Sequence, residues 1–265
     1  MPDDAVTASF DEGIATITLD QPERLNALSD DIKQGIESAL DAVDERDDVR
    51  CVVFEGTGDA FCAGGDIGGM EDRDESERGS RDRVRDLIES CERIPIRIYN
   101  CDVPTVAKID GYCLGAGVGF ALACDIQLAS DEAAFGLVFR NIGLSMDFAT
   151  SFFVPREVGW NVAKELALTG EIISAERAHK LGLINHVYGT DEFESAAGEL
   201  IEGIATGPTI ALGYSARNID RSYGGTIREA VEREAEAQNI AYGTADHDEG
   251  VAAFREDREP DFSGH

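Results

Sequence analysis

Apolar and polar residues alternate over residues 5–19, interrupted midway by Asp11-Glu12-Gly13, and this period of two predicts a strand pair or hairpin. The period then changes. Over residues 29–44, Ile32, Ile36, Ala39, Leu40 and Val43 recur at helical spacing behind a Ser29/Asp30 cap. Short apolar runs at 51–55, 105–110 and 125–129 predict further strands, and strands alternating with helices pair in parallel through crossovers. Residues 161–168 and 174–181 are predicted helices, the second capped by Ser174 with Glu176 in its first turn. Gly182-Leu183-Ile184-Asn185-His186-Val187 closes this core. After Gly207-Pro208 the pattern stays helical and acidic through Ala253, so we divide the chain into a core (1–205) and a helical appendage (206–265). Between Gly68 and Arg85, Gly, Asp, Glu, Arg and Ser predominate, which predicts a solvated loop or a flap beside a site.

Charge changes the picture next. With 53 acidic against 23 basic residues the net charge is −30, yet 43% of the chain is hydrophobic, so the acids coat a folded protein rather than a disordered tail. Such a surface suits a salt-loving cytoplasm, where screening removes self-repulsion. The melting temperature should therefore rise between dilute buffer and molar KCl. The same charge repels nucleic acids and anionic membranes, which are not expected partners. The six cysteines lie mostly in apolar runs, without Cys-x-x-Cys or zinc-type spacing, and are expected as reduced, buried thiols. Met1-Pro2-Asp3-Asp4 lacks a basic and apolar signal and no run reaches membrane-spanning length, so a soluble, cytoplasmic protein is expected.

Two segments stand out chemically: Phe61-Cys62-Ala63-Gly64-Gly65-Asp66-Ile67 and Asp110-Gly111-Tyr112-Cys113-Leu114-Gly115-Ala116-Gly117. Each reads as a strand breaking into a small-residue turn that opens a helix. Such turns leave N–H groups unpaired where the helix dipole favours negative charge. Facing one another, they would trap an oxyanion with backbone alone. Gly65 and Ala116 are the expected donors, Gly65 because it has no side chain to block approach and Ala116 because both neighbours are glycine. A dinucleotide fingerprint beginning at Gly115-x-Gly117 fails, since Phe120 replaces its third glycine and Asp125 comes too early.

These motifs resemble those of the crotonase, or enoyl-CoA hydratase/isomerase, family, and the likeness covers nearly the whole chain. Ile17-Thr18-Leu19-Asp20-Gln21-Pro22-Glu23-Arg24-Leu25-Asn26-Ala27-Leu28 is similar to the family's opening strand and adenine-binding turn. Phe135-Gly136, Ile142-Gly143-Leu144, Pro155-Arg156, Val158-Gly159 and the closing Asp248-Glu249-Gly250-Val251-Ala252-Ala253-Phe254-Arg255-Glu256 keep its register. The resemblance implies an α/β crotonase (ClpP-like) fold of repeated ββα units, with C-terminal helices that build a homotrimer or a hexamer. It implies an acyl-CoA thioester substrate, with coenzyme A entering only as part of that substrate and no metal. Gly65 and Ala116 would bind the thioester oxygen as it becomes an enolate. Arg24 and Leu25 lie where CoA phosphates and adenine are held, while Ala63, Gly64, Asp66, Ile67 and Gly68 line the adenine and pantetheine path. Phe254, Arg258 and Phe262 would contribute from a neighbouring subunit.

The sequence departs from the hydratase pattern at the two positions that carry glutamates there, which are Gly119 and Phe139 in this chain. What remains is Asp147, in the register of the single acid of family isomerases. Its neighbours Met146, Phe148, Phe152 and Phe153 are apolar, and desolvation among them would raise its pKa toward proton-transfer use. The Asp147-x-x-Thr150 spacing also suits a helix N-cap, worth ~1 kcal/mol. Isomerisation is the expected chemistry. Hydration with one ordered water, hydrolytic dehalogenation, and a non-catalytic CoA-thioester binder are the alternatives.

Overall fold

The computed structural model describes residues 5–68 and 80–265. Its strands are β1 (Val6–Asp11), β2 (Ile14–Leu19), β3 (Cys51–Gly56), β4 (Ala60–Cys62), β5 (Thr105–Ile109), β6 (Tyr112–Leu114), β7 (Ile126–Ser130), β8 (Ala134–Gly136), β9 (Ile172–Ser174) and β10 (His186–Tyr188). They form a six-stranded sheet, β1-β2-β3-β5-β7-β10, and a four-stranded one, β4-β6-β8-β9. The β1–β2 hairpin is antiparallel and turns at Glu12 and Gly13, both with positive φ; the rest of the large sheet is parallel. β3, β5 and β7 are each followed at once by a strand of the small sheet, giving the strand–strand–helix repeat that the resemblance implies.

The parallel strands are apolar without alternation because both faces are covered. In β3, Val52 and Phe54 join the main core between the sheets. Cys51 and Val53 point the other way and pack with Val106, Leu128, Phe193, Ala197 and Ile201. Phe193, Ala197 and Ile201 belong to a helix over the outer face, α7 (Thr190–Ala205). The other helices are α1 (Asp30–Asp44), α2 (Ser80–Arg93), α3 (Pro95–Tyr99), α4 (Ala116–Leu122), α5 (Thr150–Thr169), α6 (Ala175–Leu181), α8 (Thr209–Ser222), α9 (Ile227–Ala241) and α10 (Ala245–Glu256).

The α1 cap forms as predicted, with Ile32 N donating to Ser29 Oγ at 3.2 Å, and all five periodic residues of that helix are buried. Ser174 likewise caps α6 by accepting from Arg177 N. Two expectations need correction. The run 68–85 is not loop to its end: α2 starts at Ser80, with Val84, Leu87, Ile88 and Cys91 at helical spacing behind a charged first turn. The rest of the proposed flap, 69–79, lies outside the described residues. The helix predicted at 161–168 is only the second half of α5, which begins at Thr150 and breaks at Gly159 (φ 76°). Pro155 and that glycine obscure its first half in the sequence.

The thiols Cys51, Cys62, Cys113 and Cys124 are buried, Cys91 and Cys101 half-buried, and all six are free. Burial pushes the Cys51 and Cys62 thiols up to about 12, so both stay protonated and inert. Beyond Gly207-Pro208 the three C-terminal helices are tied back by Arg50, which donates to Gly207 O (2.7 Å) and Thr209 Oγ1 (3.2 Å). No helix among the described residues is long and apolar enough to cross a membrane.

Candidate active site

Packing fixes α4, the helix that follows the second glycine turn. Phe120, on α4, sits between Phe54 of the large sheet (5.2 Å, edge-to-face) and Phe61 of the small sheet (5.3 Å, stacked). The first glycine turn is set beside α4 by segment 25–28. Ala63 N donates to Leu25 O (3.0 Å) and Leu28 N to Gly64 O (2.7 Å). Gly64 has φ 93°, and a β-carbon there would meet Leu114 O at 2.8 Å and Ala116 N at 3.2 Å. The two turns therefore abut, as the sequence suggested, and glycine permits both the backbone conformation and the approach. Among the described residues, neither the Gly65 nor the Ala116 amide donates to a protein acceptor.

Asn26 holds this arrangement and was legible only as one letter of a motif. Fully buried, it donates from Nδ2 to Thr57 O (2.9 Å) and Ala60 O (2.6 Å) and accepts from Gln21 N at Oδ1 (2.9 Å). Asn26→Ala should lower stability by ~3 kcal/mol, because three backbone groups lose partners and some have no route to water. Denaturant unfolding measures this, and a change below ~1 kcal/mol would show that the network is dispensable.

Asp147 is not a helix cap. Thr150 N donates to Asp147 O at 2.9 Å, and Phe148 and Ala149 between them have φ of 51° and 59°, which makes residues 147–150 a type I′ turn. Two successive non-glycine residues in the left-handed region cost about 1 kcal/mol or more each, so packing must hold them there. The Phe148 ring is buried, and the amides of Phe148 and Ala149 both face the sulfur of Cys91 on α2. Asp147 itself is half-buried, but its Oδ1 is fully buried and has no hydrogen-bond partner. Burial raises the Asp147 carboxyl above its ordinary value, opposed by a backbone hydrogen bond within the residue.

This turn lies against α4. A β-carbon at Gly119 would fall 2.4 Å from Phe148 O and 2.6 Å from Thr150 Oγ1. Gly119 is three residues along the helix from Ala116, or ~4.5 Å of axial rise, so the Asp147 turn packs about one helical turn from the Ala116 amide. Phe139, the other departure from the hydratase pattern, is a buried ring 3.9 Å from a β-carbon built at Gly115.

The residues expected to hold CoA divide into two groups. Arg24 and Asp66 form an ion pair at 2.5 Å, so Arg24, Leu25, Ala63, Gly64 and Asp66 make one patch, with Ile67 and Gly68 exposed at its edge. A phosphate would compete with Asp66 for the Arg24 guanidinium. Phe254, Arg258 and Phe262 lie on α10 and the tail behind it. Phe254 is 89% exposed, Phe262 packs near Gly250, and Arg258 is engaged by both oxygens of Glu249 and by Glu256. Within one chain, no hydrogen bond or ion pair of the described residues joins this second group to the Arg24 patch. No cluster of His, Cys, Asp and Glu among the described residues has metal-binding geometry.

A strand–strand–helix core with two abutting glycine turns defines the crotonase class of enzymes. The sequence matches the enoyl-CoA hydratase/isomerase family model over residues 9–265, and the chain belongs to that family. It is 34% identical over 263 residues to 1,2-epoxyphenylacetyl-CoA isomerase of Escherichia coli K12, with 98% of each chain covered. It is 30% identical over 253 residues to 4-chlorobenzoyl coenzyme A dehalogenase-1 of an Arthrobacter species, covering 96% of this chain and 91% of that one. The crystal structure of an enoyl-CoA hydratase from Polaromonas sp. JS666 superposes with a TM-score of 0.89 at 28% identity, over 97% of this chain and 99% of the other.

Proposed function

We propose that this protein is an acyl-CoA isomerase that shifts a double bond by enolate stabilisation and proton transfer. The observation that carries the reading is the seating of the Asp147 turn against Gly119. It fills the space a side chain at 119 would need and leaves Asp147 as the carboxylate beside the oxyanion helix. Asp147 takes a proton from a carbon next to, or conjugated with, the thioester carbonyl. The C–H electron pair passes into the conjugated system, and the Gly65 and Ala116 amides receive the negative charge on the thioester oxygen. Asp147 returns the proton two carbons away, so hydrogen, charge and oxidation level balance without a redox partner. Each oxyanion donor contributes ~3–4 kcal/mol by analogy with other oxyanion holes, and a positioned base roughly 10²–10⁴-fold.

Asp147, Gly65 and Ala116 have the catalytic roles in this reading. Arg24, Leu25, Ala63, Gly64, Asp66, Ile67 and Gly68 line the CoA path, and Phe254, Arg258 and Phe262 complete it from a second subunit of a homotrimer or hexamer in the cytoplasm. Similarity to an isomerase over nearly the full length supports the reaction class. Absorbance at the conjugated-thioester band, in molar KCl, tests it with 3-enoyl-CoA and 2-enoyl-CoA offered separately. A rise from the 3-enoyl thioester is expected. A fall from the 2-enoyl thioester alone would make the protein a hydratase using Asp147 and an ordered water.

A further inference from the structure

The first half of α5, residues 150–158, has little to hold it as a helix on its own. It begins behind two left-handed residues, Phe148 and Ala149, and ends at Gly159 (φ 76°). Pro155 lies inside it, offers no N–H to the Ser151 carbonyl and crowds that turn. Isolated helices this short are marginal in water, so tertiary contacts must hold the piece in place. Several of those contacts converge on Arg156. Its guanidinium carbon stands 3.3 Å from the centre of the Phe152 ring and 4.5 Å from that of Tyr223, the residue that follows α8. Its Nη1 donates to Phe152 O at 2.6 Å, while its Nε is buried and has no hydrogen-bond partner. Among the described residues Arg156 forms no ion pair, so attraction to ring faces is its main hold. The Phe152 ring in turn meets Tyr99 of α3 (5.8 Å) and Phe153 (5.3 Å) edge to face.

We propose that Arg156 is a positioning residue for Asp147: it clamps the first turn of α5 against Tyr223 and so couples the C-terminal helices to the site carboxylate. This rests on Asp147 being the site base. The chain of contacts is short. Phe152 N and Phe153 N both donate to Ala149 O (2.8 and 3.1 Å), and Ala149 is a central residue of the Asp147 turn. Left-handed residues persist only where their surroundings hold them, so the turn relaxes once the helix behind it is released. Arg156 acts through Phe152 and not on the substrate. A planar guanidinium stacks on rings while its edge donates a hydrogen bond, which a lysine ammonium does not reproduce.

Arg156→Ala, Arg156→Lys, Tyr223→Leu and Tyr223→Phe test the clamp through two readouts. One is isomerase kinetics; the other is the rate at which iodoacetamide labels Cys91, whose sulfur faces the Phe148 and Ala149 amides, at one fixed alkaline pH. Arg156→Ala should lower kcat by roughly 10–100-fold, the cost of up to about 1 Å of misplacement, with KM little changed. Arg156→Lys should not restore it. Tyr223→Leu should lower kcat in the same way, Tyr223→Phe should keep the parental value, and Arg156→Ala with Tyr223→Leu should be no worse than Arg156→Ala alone. In the impaired variants Cys91 should label several-fold faster while the buried Cys51, Cys62, Cys113 and Cys124 stay unlabelled, the mark of a local release. An Arg156→Ala protein that only melts lower, with parental kcat and parental Cys91 labelling, overturns the proposal. If Arg156→Ala does not fold, Tyr223→Leu decides, and parental values of both readouts in that variant overturn it equally. Cys91 labelling needs no turnover, so it stands apart from the isomerase assay. Faster Cys91 labelling in variants of a protein that does not isomerise defeats the isomerase reading alone. Isomerisation with both readouts unmoved in the variants defeats this inference alone.

Discussion

Asp147→Asn should lose isomerisation by 10²–10⁴-fold while still binding CoA ligands, because the variant keeps the turn and its shape but removes the group that accepts the proton. Near-full activity would sink the assignment of Asp147 as base. The pH dependence carries a sign of its own. Burial raises the folded carboxyl above its ordinary value, so the native state holds this proton at pH values where the unfolded chain has released it. Stability from this group is fully present below the unfolded pKa and falls as pH rises through the folded one. At neutral pH ionised Asp147 is therefore a destabilising feature, and Asp147→Asn should melt higher than the parent while being inactive. Activity of the parent moves the other way, rising with pH through that same pKa as the base ionises. A variant that is both inactive and less stable would mean that the asparagine had disturbed the turn rather than removed a charge.

Gly119→Glu is the second large effect. It restores by name the first glutamate of the hydratase pattern, yet it should abolish isomerisation without creating hydration. The new β-carbon would sit 2.4 Å from Phe148 O and 2.6 Å from Thr150 Oγ1, distances at which one backbone must move. What yields is the 147–150 turn, already held in a left-handed pair of residues, and with it the position of Asp147. A shift of ~1 Å at a catalytic group can cost about 10²-fold. Overpacking of this kind also destabilises by ~1–3 kcal/mol. Gly119→Ala, with the same β-carbon and no carboxylate, should reproduce most of the loss, which separates the steric cause from the charge. Gain of hydratase activity in Gly119→Glu would show that the turn can retreat and that the seat at 119 is not what selects the reaction.

The order of elements was legible in the sequence wherever one periodicity held. The alternation of residues 5–19, the Ser29-capped helix and the short apolar strands all appear where local rules put them, because caps and periods act within a few residues. The two glycine turns were legible for the same reason: a strand, a small-residue break and a helix start lie within seven or eight neighbours. Local rules failed at the ends of α2 and α5. A charged first turn hid the one, and Pro155 with Gly159 hid the other.

The sequence by itself determined the fold class, the acidic surface, the two glycine turns and the absence of glutamate at positions 119 and 139. It left Asp147 with two readings, base or helix cap, since Asp-x-x-Thr serves both. The tertiary structure removes the cap reading. The helix starts at Thr150 with Ala149 as its cap residue, and Asp147 Oδ1 is buried without a partner. It also brought Cys91 of α2 under the Phe148–Ala149 amides, and Thr150 beside Gly119, across separations of some thirty to sixty residues. Pairings at such separations are set by how the faces of helices pack, and a pattern read along the chain carries no record of which faces meet.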